Sequence, residues 1–183
     1  MGSTQNDLPL FVITGGPASG KTTLISALGE AGYRCSVEAG RRIIKEQMAI
    51  EGRALPWIDP LLFAEMMLML DIEAWRALSP PGAPAFFDRG IPDTIGYLTL
   101  ERHPVPGHMM RAARLFRYQP RVFICPPWPE IFAQDTERRQ TLDEARRTYD
   151  AMVGVYSSLG YDLLEVPRLP VAERARFVLS HAV

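Results

Sequence analysis

The residues best suited to chemistry stand together near the start of the chain, in Gly15-Gly16-Pro17-Ala18-Ser19-Gly20-Lys21-Thr22-Thr23. A glycine, four residues, a second glycine, a lysine and a hydroxyl residue meet what a bound polyphosphate demands. Gly15 and Gly20 permit backbone angles that turn several N–H groups toward one anion, and a helix beginning near Lys21 adds its positive end. Lys21 offers a point charge to the β and γ phosphates, Thr22 a hydroxyl to Mg²⁺, and Thr23 a hydroxyl within reach of the α phosphate. Of the 20 basic residues only Lys21 and Lys45 are lysines, and one of them falls in this loop. The other reading of the run is a glycine-rich turn that caps a helix.

A cradle alone binds; moving a phosphoryl group also needs metal positioning, an oriented acceptor and positive charge on the transition state. Asp88 closes the apolar run Pro84-Ala85-Phe86-Phe87, which puts a carboxylate at the sheet edge beside the cradle, as a metal-positioning acid or an acceptor base. Its simpler role would be a helix cap before Gly90. Glu38 follows a short strand read over 34–37 and brings a second carboxylate to the same edge, or merely favours the dipole of the next helix. One acid can serve Mg²⁺ through water while the other takes the acceptor proton, and the sequence leaves the assignment open. Arg89 is a candidate for binding an acceptor or phosphate, or else pairs with a surface acid; Arg41 and Arg42 are candidates for holding an anionic acceptor, or else are solvated. Arg138 and Arg139, in the polar run 135–141, suit a lid whose guanidinium groups close on the phosphates and exclude water; an ordinary charged loop is the alternative.

These groups need elements to hold them. Apolar runs and helical periods alternate along the chain, the pattern of a parallel sheet with helices on both faces. Strands are expected at 10–14, 34–37, 84–88, 121–125 and 161–166. Helices are expected at 21–31 (ended by Gly32), from 41 to 51 (ended by Gly52), 60–78, 93–101 and 107–118, then after the capping box Thr141-Leu142-Asp143-Glu144, and from Pro170 to 182. The Met-rich stripe of the 60–78 helix reads as core. Arg111, Arg114 and Arg117 read as one solvated helical face, with a lipid headgroup as the rarer option.

Composition sets the frame. At 183 residues the chain fits one α/β domain over 9–183, preceded by a tail over 1–8 that is disordered or partly a cloning remnant. A net charge of −1 and a pI near 6.3 give no global attraction to nucleic acid or anionic membrane. Cys35 and Cys125 form no metal or disulfide pattern, the three histidines lack ligand spacing, and neither a leader nor a spanning segment is visible. A cytoplasmic setting is expected.

Phe11-Val12-Ile13-Thr14-Gly15-Gly16-Pro17, Glu38-Ala39-Gly40-Arg41, Phe87-Asp88-Arg89-Gly90 and the 135–140 segment, in this order, resemble the predicted ATPases related to NadR-type ribosylnicotinamide kinase domains. The resemblance implies a P-loop NTPase fold of the nucleoside and nucleotide kinase type, with a five-stranded, mainly parallel sheet, the first strand central and the Asp88 strand beside it. It also implies ATP and Mg²⁺ as cofactors. In deoxynucleoside kinases, which the arrangement is also similar to, the acid after the second strand is the acceptor base and an Asp-Arg pair follows the third. By that resemblance the roles fall on Glu38, Asp88 and Arg89; Gly90 stands where those kinases usually carry serine, so acceptor identity does not transfer.

The leading expectation is a Mg²⁺-ATP phosphotransferase with an unidentified small hydroxyl or phosphate acceptor. The rivals are a regulatory ATPase or nucleotide switch, and a peripheral lipid binder using the arginine stripe. A guanine-type GTPase is disfavoured because no Asn-Lys-x-Asp run occurs, and an ABC-type ATPase because Leu-Ser-Gly-Gly-Gln is missing.

Overall fold

Strand residues that alternate between two buried faces dictate a sheet covered on both sides, and the computed structural model, which describes residues 8–80, 82–132 and 141–182, has that form. The expected tail before residue 8 and the expected lid arginines Arg138 and Arg139 lie outside the described residues. The order is β1 (Leu10–Gly15), α1 (Lys21–Glu30), β2 (Arg34–Cys35), α2 (Ala39–Ala49), α3 (Pro60–Leu78), β3 (Ala85–Asp88) and α4 (Ile91–Leu100). There follow α5 (Gly107–Leu115), β4 (Arg121–Cys125), α6 (Pro129–Phe132), α7 (Leu142–Ser158), β5 (Asp162–Glu165) and α8 (Val171–His181). The sheet runs β2-β3-β1-β4-β5 with every pair parallel, so β1 is central and β3 is its neighbour, as expected. The chain moves from β1 to one side for β2 and β3, then to the other for β4 and β5. That reversal opens a crevice outside the carboxyl end of β1, where the glycine-rich loop lies.

The two cores divide the strand residues by parity. Leu10, Val12, Phe87, Val122 and Ile124 face Trp75, Met152 and Tyr156 on the side of α3 and α7. Phe11, Ile13, Phe86, Phe123 and Cys125 face Leu24, Leu28 and Val178 on the side of α1 and α8. Phe86 and Phe87 are essentially unexposed, so truncating either to alanine removes about 3–5 kcal/mol of stability. Beyond the first side, α3, α4, α5 and α7 build a further core around Leu68, Ile95 and Met109.

Several boundaries differ from expectation for local reasons. β2 stops at Cys35: the Ser36 N–H still donates to the Phe86 carbonyl, but Val37 is already exposed and Glu38 precedes α2 as its N-cap. Glu38 is therefore not at a strand end. Gly90, not Asp88, is the N-cap of α4, and Asp93 accepts from the Gly90 N–H. α2 ends at Ala49, and Glu51 rather than Gly52 takes the left-handed backbone there, with φ 55°. α5 ends at Leu115, so Arg117 leaves the supposed stripe. It donates to the Leu159 carbonyl and stacks on Tyr161, 3.9 Å from the ring centre. The turn after β4 continues into the short α6. Gly32 and Gly160 do stop their helices with positive φ. Among the described residues no helix is long and apolar enough to cross a membrane.

Candidate active site

The loop between β1 and α1 owes its shape to what presses on it. Gly15 has φ +135° and Gly20 φ +72°, angles that other residues rarely adopt. A Cβ on Gly15 would stand 2.3 Å from the Cys125 carbonyl oxygen, and one on Gly16 2.5 Å from that of Ala145. The end of β4 and the first turn of α7 thus leave no room behind the loop. Ser19 Oγ donates to the Gly16 carbonyl at 2.9 Å and closes the turn from within. Lys21, at the first position of α1, is buried, and its Nζ meets the same carbonyl at 3.4 Å. Burial lowers the Lys21 pKa, and Arg89 adds to this, while Asp88 and Glu38 oppose it. Thr22 and Thr23 are exposed on the open side.

One residue that sequence reasoning missed holds this loop. Arg174, from the first turns of α8 and only 3% exposed, donates to the carbonyls of Gly20 and Ser19 at 3.0 Å each and to Cys125 Sγ at 3.2 Å. An arginine in an otherwise amphipathic terminal helix carries no local mark of this work.

Across the crevice, Asp88 ends β3 with one carboxylate oxygen, Oδ1, that has no hydrogen-bond partner among the described residues. Burial raises its pKa; Lys21 pulls the other way and Glu38 adds to the rise. The next residue, Arg89, has φ 70° and spans two acids: Nε to Glu38 Oε1 at 3.1 Å and Nη1 to Asp93 Oδ1 at 3.1 Å. Burial alone would lift the Glu38 carboxyl, but Arg89 and Lys21 outweigh it and hold it below the usual range. Arg89 stays charged because Asp93, Glu38 and Asp88 more than offset its burial. Arg41, two-thirds exposed, reaches Glu38 at 3.7 Å, a surface pair worth under about 1 kcal/mol.

Asp93 is the second residue that sequence reasoning missed as a site residue. It accepts hydrogen bonds from Thr14, Tyr156 and the Gly90 N–H in addition to the Arg89 ion pair, tying β1, α4 and α7 together. Its only sequence signal was its place in the first turn of a helix.

A cleft of about 890 Å³ joins these parts. Pro17, Ala18, Ser19, Gly20, Lys21, Thr22 and Thr23 line one end with Glu38, Arg41 and Arg89, and it continues between α3 and α4 to Phe63, Met67, Asp71 and Tyr97. Phe63 and Met67 thus serve a wall as well as a core. Gly15, Gly16 and Asp88 are not among its lining residues. A second hollow of about 350 Å³ lies on the other side of Gly20 and Thr23, against Trp128, Pro170 and Arg174. Among the described residues no cluster of three or more His, Cys, Asp or Glu could hold a metal ion.

A glycine-rich loop at the carboxyl edge of a central parallel strand, with this strand order, defines a P-loop fold of the nucleoside and nucleotide kinase type. The model of an AAA domain family (AAA_28) matches residues 10–174, and the chain belongs to that family. No curated protein sequence matches significantly. Among solved structures, shikimate kinase from Acinetobacter baumannii in complex with shikimate is 17% identical, with a TM-score of 0.60, covering 96% of this chain and 93% of that one. Thymidylate kinase from Ehrlichia chaffeensis is 16% identical, with a TM-score of 0.62 and coverage of 94% and 97%. NadR in complex with NR is 17% identical at a TM-score of 0.61, covering 93% of this chain but 49% of that protein. At such identities the likeness establishes the fold.

Proposed function

We propose that the protein is a Mg²⁺-ATP-dependent phosphotransferase whose acceptor is a small nucleoside- or nucleotide-like molecule. The observation that carries this reading is the single cleft running from the loop to the Glu38–Arg89 pair and on to an apolar wall. A pure triphosphatase has no need of that second half.

The loop amides and Lys21 hold the β and γ phosphates, and the hollow beside Trp128 and Pro170 offers apolar faces to the nucleotide base. In phosphate sites Mg²⁺ keeps several waters and takes one or two protein oxygens. The exposed Thr22 hydroxyl, with the unpartnered Asp88 Oδ1 acting through water, fits that demand. When bound, Mg²⁺ neutralises charge on the β and γ oxygens. Glu38 lines the cleft whereas Asp88 does not, so Glu38 orients the acceptor hydroxyl and accepts its proton. Arg89 fixes the Glu38 carboxylate and presents its remaining N–H groups to an anionic or hydroxyl-bearing acceptor. Free Cys35 and Cys125 suit a reducing cytoplasmic setting.

The test is γ-³²P-labelled ATP with Mg²⁺ and a panel of nucleosides, nucleotides and pyridine ribosides. The expected result is a labelled acceptor formed mole for mole with ADP. Phosphate release indifferent to every acceptor would favour the regulatory-ATPase reading instead.

A further inference from the structure

The far end of the cleft is built from groups that phosphate chemistry does not use. Phe63, Met67 and Asp71 recur every four residues along α3 and so fall on one stripe, and all three line the cleft. An acid on an apolar stripe needs a reason. Asp71 is only 9% exposed, has no ion-pair partner among the described residues, and accepts a long hydrogen bond from Thr94 Oγ1 at 3.4 Å. One α4 turn beyond Thr94, Tyr97 also lines the cleft, and its hydroxyl oxygen is buried without a partner among the described residues. The Tyr97 ring packs edge-on to Phe63, with centres 5.4 Å apart. Two under-satisfied polar groups therefore stand at the end of an apolar slot, an arrangement that costs stability unless a ligand pairs with them.

We propose that Asp71 is a specificity-determining residue of the acceptor site, which with the Tyr97 hydroxyl reads the polar edge of an uncharged planar ring, such as a nucleobase, lying against Phe63 and Met67. This deepens the phosphotransferase reading and rests on it only in assigning the ring to the acceptor. The charge distribution selects a neutral ring. Arg89 is paired with Asp93 and Glu38 and opposes the rise of the Asp71 pKa only from a distance, and among the described residues no cation forms an ion pair with Asp71. Burial and the neighbouring Asp93 push the Asp71 carboxyl up to about 8, so it keeps its proton at neutral pH. A protonated carboxyl offers one donor and one acceptor side by side, the complement of an N–H next to a C=O or of an amino group next to a ring nitrogen. A neutral edge binds it with no proton released; a cationic ring would drive that proton off.

Isothermal titration decides, with Mg²⁺ and a non-hydrolysable ATP analogue present so that turnover plays no part. The probes are adenosine, inosine, cytidine, uridine and, as the cationic comparator, nicotinamide riboside. The proteins are wild type, Asp71→Asn, which keeps a donor and an acceptor, and Asp71→Leu, which keeps neither. At least one neutral nucleoside should bind wild type more tightly than nicotinamide riboside and without proton release. Asp71→Asn should hold it within about threefold, and Asp71→Leu should lose about 30- to 100-fold while analogue affinity stays unchanged. Should Asp71→Leu not fold, Tyr97→Phe decides, with an expected loss of about fivefold for the same nucleoside. The proposal is overturned if no neutral nucleoside binds, if nicotinamide riboside binds best, or if the folded variants bind as wild type does. Binding without labelled product in the radioactive assay would sink the phosphotransferase reading and leave this one standing.

Discussion

The two ends of the cleft are made differently. The end proposed for phosphate is mostly backbone: nine consecutive residues, all but Pro17 carrying an N–H, whose glycine angles and one lysine are fixed by their own order, then clamped from behind by Cys125, Ala145 and Arg174. The end proposed for the acceptor is mostly side chains, with Glu38 ahead of α2, Asp71 from α3, Arg89 after β3 and Tyr97 from α4, none of them neighbours in sequence. A polyphosphate is the same molecule in every such site, so a local device suffices for it. An acceptor differs from case to case, and recognising it falls to residues that packing brings together.

That contrast yields graded expectations. Lys21→Ala removes the one side-chain charge in the loop and should lower kcat/KM for ATP about 100- to 1,000-fold, with the circular dichroism spectrum unchanged. Asp88→Asn should lower kcat about 100-fold while the ATP dissociation constant moves less than about threefold; equal losses in both would place Asp88 in plain nucleotide binding. Arg174→Leu removes a hydrogen bond from the buried Ser19 carbonyl and one from the part-buried Gly20 carbonyl, which keeps the Leu24 N–H, and should cost about 1–3 kcal/mol, read as a lower denaturant midpoint together with weaker ATP binding. An Arg174→Leu protein as stable as wild type would mean that the loop holds itself.

Asp71 gives the acceptor end a signature in pH. Its folded pKa, about 8, lies above its ordinary 3.8, so between those values the folded state holds more protons than the unfolded one. The stability contributed by this carboxyl should therefore be complete below about pH 4, fall as pH rises through that window, and level off above about 8. Asp71→Asn should flatten this part of the profile, so that its melting temperature drops less than that of wild type between pH 6 and pH 9. The smallest effect belongs to Arg41→Ala: its exposed pair with Glu38 predicts a stability change within about 0.5 kcal/mol, so any sizeable loss of turnover would mark contact with acceptor.

Much of the frame was legible in the sequence because it is set locally. Gly20 and Lys21 mark the start of α1, Thr141 and Glu144 form the capping box that opens α7, and the runs at β1 and β4 alternate between two cores. That Glu38, Asp88 and Arg89 would come together was legible in the sequence, but not how they are linked: Arg89, with a left-handed backbone, spans Glu38 and Asp93. Asp71, Asp93 and Arg174 escaped notice. Each is one charged residue in a helix, and its meaning comes from partners up to 155 positions away. The solvated arginine face holds for Arg111 and Arg114, which are exposed, and fails at Arg117 for the opposite reason: periodicity continued the stripe past Leu115, where α5 ends and Arg117 turns to Tyr161.

The most direct test of the central claim is the affinity of a non-hydrolysable ATP analogue with Mg²⁺ for wild type and for Lys21→Ala, measured by isothermal titration. One site per chain, weakened at least about tenfold by the substitution, is the predicted result. Equal affinities, or no binding to wild type at all, would contradict a loop that grips a triphosphate and remove the ground for the phosphotransferase reading.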